Sequence, residues 1–173
     1  MPGIKLLDKT QVITIQYILN ELLKPDIHQL LFDDYYGYGE IGLLLMDPRT
    51  VVYGVFEQGR PEPVGVVFFV GMIPYRDCIL YSAVFDPDKR RQGKMTAAPE
   101  GKLSVAERIK QDMIQRYHIH SCSAQAIEGN EASVHILEKL GFKKIGTKEK
   151  CVFTGGQYKD VHQYYLLLGE TAT

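Results

Sequence analysis

Apolar residues recur with a helical period in the first part of the chain and with a strand period from about residue 50. A short first strand is expected over residues 4–7. Ile15, Ile18, Leu19, Leu22 and Leu23 then form one stripe, predicting a helix over 11–23 with Thr10 as its N-cap and Pro25 ending it. A second, shorter helix is expected over 26–32. The stretch DDYYGYGE (33–40) is aromatic, acidic and glycine-rich, and reads as a surface loop of the kind that touches ligands, or as a plain connector. Three strands follow, VVYGVFE (51–57), VGVVFFVGMI (64–73) and 78–85, with a turn at QGRPEP joining the first two, as in an antiparallel meander.

Beyond them, Leu103, Ala106, Ile109, Met113, Ile114 and Tyr117 mark one buried helical face. The expected helix runs over roughly 97–117, with Thr96 as cap and Pro99 in its first turn. A strand over 119–126 and a helix from Asn130, its N-cap, to Gly141 come next, with Val134, Leu137 and Leu140 as the apolar stripe. Strands over 142–153 and 158–168 close the chain, joined by a turn at Thr154-Gly155-Gly156. The order β, α, α, then β-β-β-α-β-α-β-β predicts an α/β (α+β) domain. Its sheet is mixed but mostly antiparallel, of six to seven strands, with helices on both faces.

With 173 residues the chain is read as a single domain, 1–173, with length enough for a core. A net charge of −1 argues against a dedicated nucleic-acid binder. No apolar run approaches the roughly 18 residues of a membrane helix, and the start MPGIKLLDKT has no secretory core. Cys78, Cys122 and Cys151 are odd in number and lack metal-type spacing, so buried free thiols in a cytoplasmic protein are expected. His28, His118, His135 and His162 show no ligand spacing either, and no metal site is expected.

Against this neutral background, FDPDKRRQGKMT (85–96) stands out. An apolar strand enters it and a helical pattern leaves it. Free amides and the dipole at a helix N-terminus favour an anion, Gly93 permits close backbone approach, and Arg90, Arg91 and Lys94 add positive charge. The chemistry fits a phosphate or pyrophosphate, or simply a solvated basic turn.

Three motifs in order resemble the GNAT superfamily of acetyl-CoA-dependent N-acetyltransferases, and most closely its ribosomal-protein N-terminal acetyltransferase branch. The first is Arg90-Arg91-Gln92-Gly93-Lys94-Met95, similar to that family's Arg/Gln-x-x-Gly-x-Gly/Ala phosphate loop. The second is NEASVHILEKLGF (130–142), and the third the tail GGQYKDVHQYYLLL (155–168). Met95 departs from the small residue usual there. Leu137 stands where many members carry a tyrosine that protonates the leaving thiolate; in the similar branch a serine, here Ser133, is the suggested substitute.

The resemblance implies the GNAT-like acyl-CoA N-acyltransferase fold and direct acetyl transfer from acetyl-CoA to a primary amine, a protein N-terminus or a small molecule. It implies that the strand ending at Phe85 and the strand over 119–126 splay, freeing backbone near Val84 and Phe85 for pantetheine. Arg90, Arg91, Gln92, Gly93, Lys94, Met95 and Thr96 would hold pyrophosphate, and Asn130 would contact the cofactor arm. Ser133 would be the thiolate acid. For the base, strand alternation turns either Tyr81 or Ser82 to the substrate side, and Tyr81 ranks first with the loop carboxylates Asp33 and Asp34 next. Asp33, Asp34 and Tyr36 would meet the acceptor; Glu40 and His120 are further candidates. The alternative is a module of the same fold that binds CoA or partners without catalysis. Asp160 and Tyr164 read as structural cross-strand residues. A monomer is expected, or a homodimer if the last strand leaves an open edge.

If the basic loop grips pyrophosphate, Arg91→Glu should weaken acetyl-CoA binding in calorimetry. Unchanged affinity would remove the cofactor from this loop.

Overall fold

The computed structural model describes residues 3–74, 76–90, 95, 98 and 100–168. The chain order is β1 (Gly3–Leu6), α1 (Val12–Leu22), α2 (Pro25–Leu31), α3 (Tyr38–Met46), β2 (Val51–Phe56), β3 (Gly65–Val70) and β4 (Asp77–Val84). After a 3₁₀ turn at Pro87–Lys89 come α4 (Val105–Tyr117), β5 (Ser121–Ile127), α5 (Glu131–Lys139), β6 (Lys143–Thr154) and β7 (Gln157–Leu167). The seven strands form one sheet in the order β1-β2-β3-β4-β5-β7-β6. Every neighbouring pair is antiparallel except β4 and β5, which the α4 crossover makes parallel.

The central strands are buried on both sides, so their alternation divides apolar from apolar rather than apolar from polar. Tyr53, Val67, Phe69, Cys78 and Leu80 face α4 and α5. Val52, Val66, Phe68, Ala83 and Phe85 face α1, α2 and α3. Position 82 therefore looks to the α4 side and position 81 to the opposite side, a parity that the site below depends on.

Three expectations are corrected. The segment 33–40 is not all loop, because Tyr38, Gly39 and Glu40 open α3, where Glu40 accepts from the Gly37 amide at 3.0 Å. Thr10 is not the cap of α1; its amide donates to Asp8 Oδ1 at 2.8 Å in the preceding turn, and α1 starts after Gln11.

The largest change concerns α4, which begins at Val105 rather than near residue 97. Gly101 has φ +72°, a left-handed conformation no α-helix can contain. Ser104 and Glu107 then make a reciprocal capping box, with the Ser104 amide donating to Glu107 Oε2 at 2.8 Å and the Glu107 amide to Ser104 Oγ at 3.2 Å. The Ala106 amide donates to the Met95 carbonyl at 2.9 Å. The Ser104, Ala106 and Glu107 amides at the start of α4 thus go to the chain's own atoms, and the loop amides expected to hold an anion, from Arg91 to Lys94 and at Thr96, lie outside the described residues.

Two smaller corrections concern the edge and the thiols. The last strand is interior, between β5 and β6; the sheet's edges are β1 and β6, and on β6 Lys143, Lys144, Lys148 and Lys150 discourage strand addition. Cys78 and Cys122 are buried free thiols on paired positions of β4 and β5, but Cys151 is exposed on β6. No helix among the described residues is long and apolar enough to cross a membrane.

Ser104→Ala should lower stability by about 1 kcal/mol in urea denaturation, the usual worth of such a cap. No loss would mean that α4 does not begin at this box.

Candidate functional site: the parting of β4 and β5

Pairing between β4 and β5 runs from Asp77/Ser121 to Leu80/Ala124 and stops there, although β4 continues to Val84 and β5 to Ile127. On their outer sides both strands stay in register, Val66↔Ala83 and Gly65↔Val84 with β3, Ala126↔His162 and Ile127↔Val161 with β7. The two edges that face each other are therefore held apart by rigid neighbours.

Two side chains manage the opening. Arg90 turns back over the end of β4, its Nε donating to the Val84 carbonyl at 2.9 Å and its Nη2 reaching the Phe85 carbonyl at 3.4 Å. The same guanidinium pairs with the Asp26 carboxylate of α2 at 2.6 Å. Asn130, 6 % exposed, caps α5 by accepting from the Ser133 amide at 3.1 Å and donates Nδ2 to the Leu30 carbonyl of α2 at 3.0 Å. The seven-residue α2 is thereby tied to both banks of the gap.

Below α2 lies a neck of about 60 Å³ lined by Ile27, Leu30, Ser82, Val84, Asn130 and Ser133. It widens into a mouth of about 830 Å³ between Leu30, Val84 and Pro87 on one side and Gly129, His135 and Lys139 on the other. Ser133 Oγ has no hydrogen-bond partner among the described residues, so its hydroxyl is free to meet a ligand in the neck.

The opposite face of β4 carries an aromatic stack. Tyr81 lies on Phe68, with centroids 5.0 Å apart and planes 5° from parallel, and on Phe32 at 5.7 Å. Phe32 meets Tyr36 at 5.7 Å, and Tyr36 meets Tyr35 edge-on at 5.8 Å, so rings run from the core to the surface. The His28 ring donates Nε2–H to the Tyr36 carbonyl and holds the loop to α2. Burial, then the nearby Tyr36 and Asp33, push the Tyr81 phenol above its ordinary value.

That upward shift opposes Tyr81 as a general base near neutral pH, where the phenol keeps its proton. Asp33 Oδ1 accepts from the Tyr35 amide at 3.0 Å. Asp34 is engaged by the β6–β7 hairpin, its amide donating to the Phe153 carbonyl at 2.9 Å and its Oδ1 accepting from the Gly155 amide at 3.3 Å.

Of the residues singled out from sequence, Val84, Arg90, Met95, Asn130 and Ser133 come together around the cleft. Arg90 is occupied by strand-end carbonyls and Asp26, and the Met95 side chain is buried in the α4 core rather than turned outward. Phe85 is buried on the other face, edge-on to Tyr17. Tyr81, Tyr36 and Asp33 gather on that second face. His120 lies at the paired end of β5, away from the gap. Arg91, Gln92, Gly93, Lys94 and Thr96 lie outside the described residues. Asp26 and Leu30 had no site role in the sequence reading, because a carbonyl latch leaves no signature in residue type, whereas strand alternation left Tyr81 and Ser82 as alternatives for the cleft side and it is Ser82 that lines the neck. Among the described residues no group of three or more His, Cys, Asp or Glu side chains could hold a metal ion.

No protein-family profile and no curated protein matches the sequence. Solved structures do match over nearly the whole chain. Spermidine N-acetyltransferase from Vibrio cholerae, in complex with CoA and spermine, superposes with a TM-score of 0.74 at 18% identity, over 96% of this chain and 95% of that one. Ribosomal-protein-S5-alanine acetyltransferase from Vibrio fischeri gives 0.73 at 18% identity, over 98% and 94%. A dodecameric form of the Vibrio cholerae enzyme gives 0.70 at 16% identity, over 96% and 94%. The fold is thus that of the GNAT acetyltransferases.

Asn130→Ala should cost about 2 kcal/mol in urea denaturation, through the lost cap and the bared Leu30 carbonyl. Asn130→Ser keeps a capping oxygen but cannot reach Leu30, so it should recover about half of that while amide exchange in α2 remains faster than in the parent. Parent-like exchange would mean that the Asn130–Leu30 bond does not hold α2.

Proposed function

We propose that this chain is an acetyl-CoA-dependent N-acetyltransferase acting on a primary amine, with the donor in the gap between β4 and β5. The observation that carries this reading is the early end of β4/β5 pairing beneath α2. It leaves an elongated cleft with backbone edges, one capping amide and one free hydroxyl along it. The pantetheine amides would pair with the open strand edges. Asn130 and Ser133 fit the thioester end, and at the mouth, which also carries Asp88 and Glu131, His135 and Lys139 would meet the phosphates. The structural neighbours act on spermidine and on a ribosomal protein, so both small-molecule and peptide amines remain acceptor classes for the test.

In the reaction the amine nitrogen attacks the thioester carbonyl, the C–S bond breaks, and an amide and free thiol result. Ser133 would donate the proton that the departing thiolate needs. The amine would enter from the face of Tyr81, Tyr36 and Asp33, between the 33–36 loop and the β6–β7 hairpin. The Asp33 carboxylate would attract the ammonium form, and the ring stack would exclude water. Tyr81 would frame this entrance as a neutral phenol, and Asp34 would fix the hairpin wall. The protein would act in the cytoplasm, where acetyl-CoA is available, as a monomer or a closed oligomer.

A thermal-melt titration tests the donor. Acetyl-CoA should raise the melting temperature saturably and more than adenosine diphosphate does; no shift at millimolar acetyl-CoA would overturn the assignment. With a polyamine and an N-terminal alanine peptide as acceptors, thiol release should appear with at least one. Ser133→Ala should then lower kcat about 100-fold with KM for acetyl-CoA little changed. Tyr81→Phe keeps the stack and should change kcat less than about threefold, without altering the shape of the pH profile across neutrality. A CoA-dependent melt with no release from any amine would favour a binding module of the same fold.

A further inference from the structure

The cleft does not end at the neck. On the α4 side of the sheet it joins a second chamber of about 40 Å³, bounded by Leu80, Ile109, Met113, Phe142 and Leu166. Ser82, Met95 and Ile136 line both spaces and form the threshold between them. Ser82 reaches it because even-numbered positions of β4 face α4, and it is the first such position beyond the last β4/β5 pair.

We propose that this chamber is an acyl-chain pocket, so that the enzyme accepts linear acyl-CoA thioesters longer than acetyl, up to about five carbons. The proposal rests on reading the cleft as an acyl-CoA site. Polarity falls inward: Asp88, Arg90 and Lys139 at the mouth, Asn130 and Ser133 at the neck, and beyond Ser82 mainly hydrocarbon and thioether, with the Cys122 thiol and Lys110 also on the wall. Phosphate, amide and alkyl chain follow the same order along an acyl-CoA. A two-carbon acyl group stops at the threshold and leaves the chamber empty.

Apolar chambers of this kind stay dry and take up hydrocarbon, and one water-sized sphere needs about 10–15 Å³. The chamber therefore holds about three carbon groups beyond acetyl. Met95 stands where similar loops carry a small residue, and its flexible thioether is suited to yield as the chain enters. Transfer of the longer acyl group breaks the same C–S bond and forms the same C–N bond. The amine gives up its proton and the thiolate gains one, so no further reactant is needed.

Calorimetry on the full chain with CoA, acetyl-, butyryl-, pentanoyl- and octanoyl-CoA tests this without turnover. Kd should fall about fourfold per carbon from acetyl to pentanoyl, about 60-fold in all, and stop improving at octanoyl. Ala106 lines the chamber from α4, and Ala106→Leu should flatten the gradient by filling it. Equal affinity for acetyl- and pentanoyl-CoA while CoA itself binds would overturn the acyl pocket and leave the acyl-CoA reading standing. A gradient that survives Ala106→Leu would place the chain elsewhere and also overturn it. Failure of every CoA species to bind would overturn the reading of the cleft itself.

Discussion

A parallel strand pair that stops pairing while both strands continue leaves backbone donors and acceptors facing a gap. Each such group costs about 1–3 kcal/mol if it is buried without a partner. The molecule meets that demand without closing the sheet. β3 and β7 keep the outer edges in register, and Arg90 takes the place of the missing strand at the end of β4 by donating to the carbonyls of Val84 and Phe85. What remains unpaired along the gap is an arrangement of amides and carbonyls fixed before any ligand arrives. Such a site needs little reorganisation on binding.

The two-residue period of β4 then separates two chemistries. Ser82 and Val84 line the cleft beside α5, whereas Tyr81 points into the ring stack beneath α2 and α3. A one-residue slip in β4 would exchange these faces, putting a phenol in the cleft and a small hydroxyl in the aromatic core. The tight antiparallel match of β4 with β3, where Gly65 lies so close to the Ala83 carbonyl that an added Cβ would meet it at 2.7 Å, resists such a slip. Gly65 is therefore fixed by close backbone approach rather than by a turn.

Most strands, and the helices with a clear apolar stripe, were legible because periodicity reports burial directly. Asn130 was legible as a cap because its chemistry is local. What escaped was set by local backbone and capping geometry at α3 and α4, and by a contact distant in sequence at Arg90. The start of α4 followed Gly101 and the Ser104–Glu107 box rather than Thr96, since a left-handed residue overrides the apolar stripe. α3 was hidden because Gly37, Gly39 and Gly42 made a helical stretch look like loop, although Ile41 and Leu45 are fully buried. The role of Arg90 could not be read from its place in a basic run, since its partner Asp26 lies 64 residues away.

That partner belongs to α2, which is too short to persist on helical propensity. Its position is set by what it touches, and its contacts face two ways. Asp26 and the Leu30 carbonyl hold the banks of the cleft, through Arg90 and Asn130. His28 and Phe32 hold the Tyr36 carbonyl and the Tyr81 ring on the other side. One helical turn separates Asp26 from Leu30, and likewise His28 from Phe32, so the two functions occupy two faces of one small rod. The walls of the cleft and of the aromatic stack are consequently tied to one helix. Ile27, buried between the two pairs of contacts, packs into the core beside α1, so a substitution that shifts α2 at either pair should disturb this packing and the other pair with it.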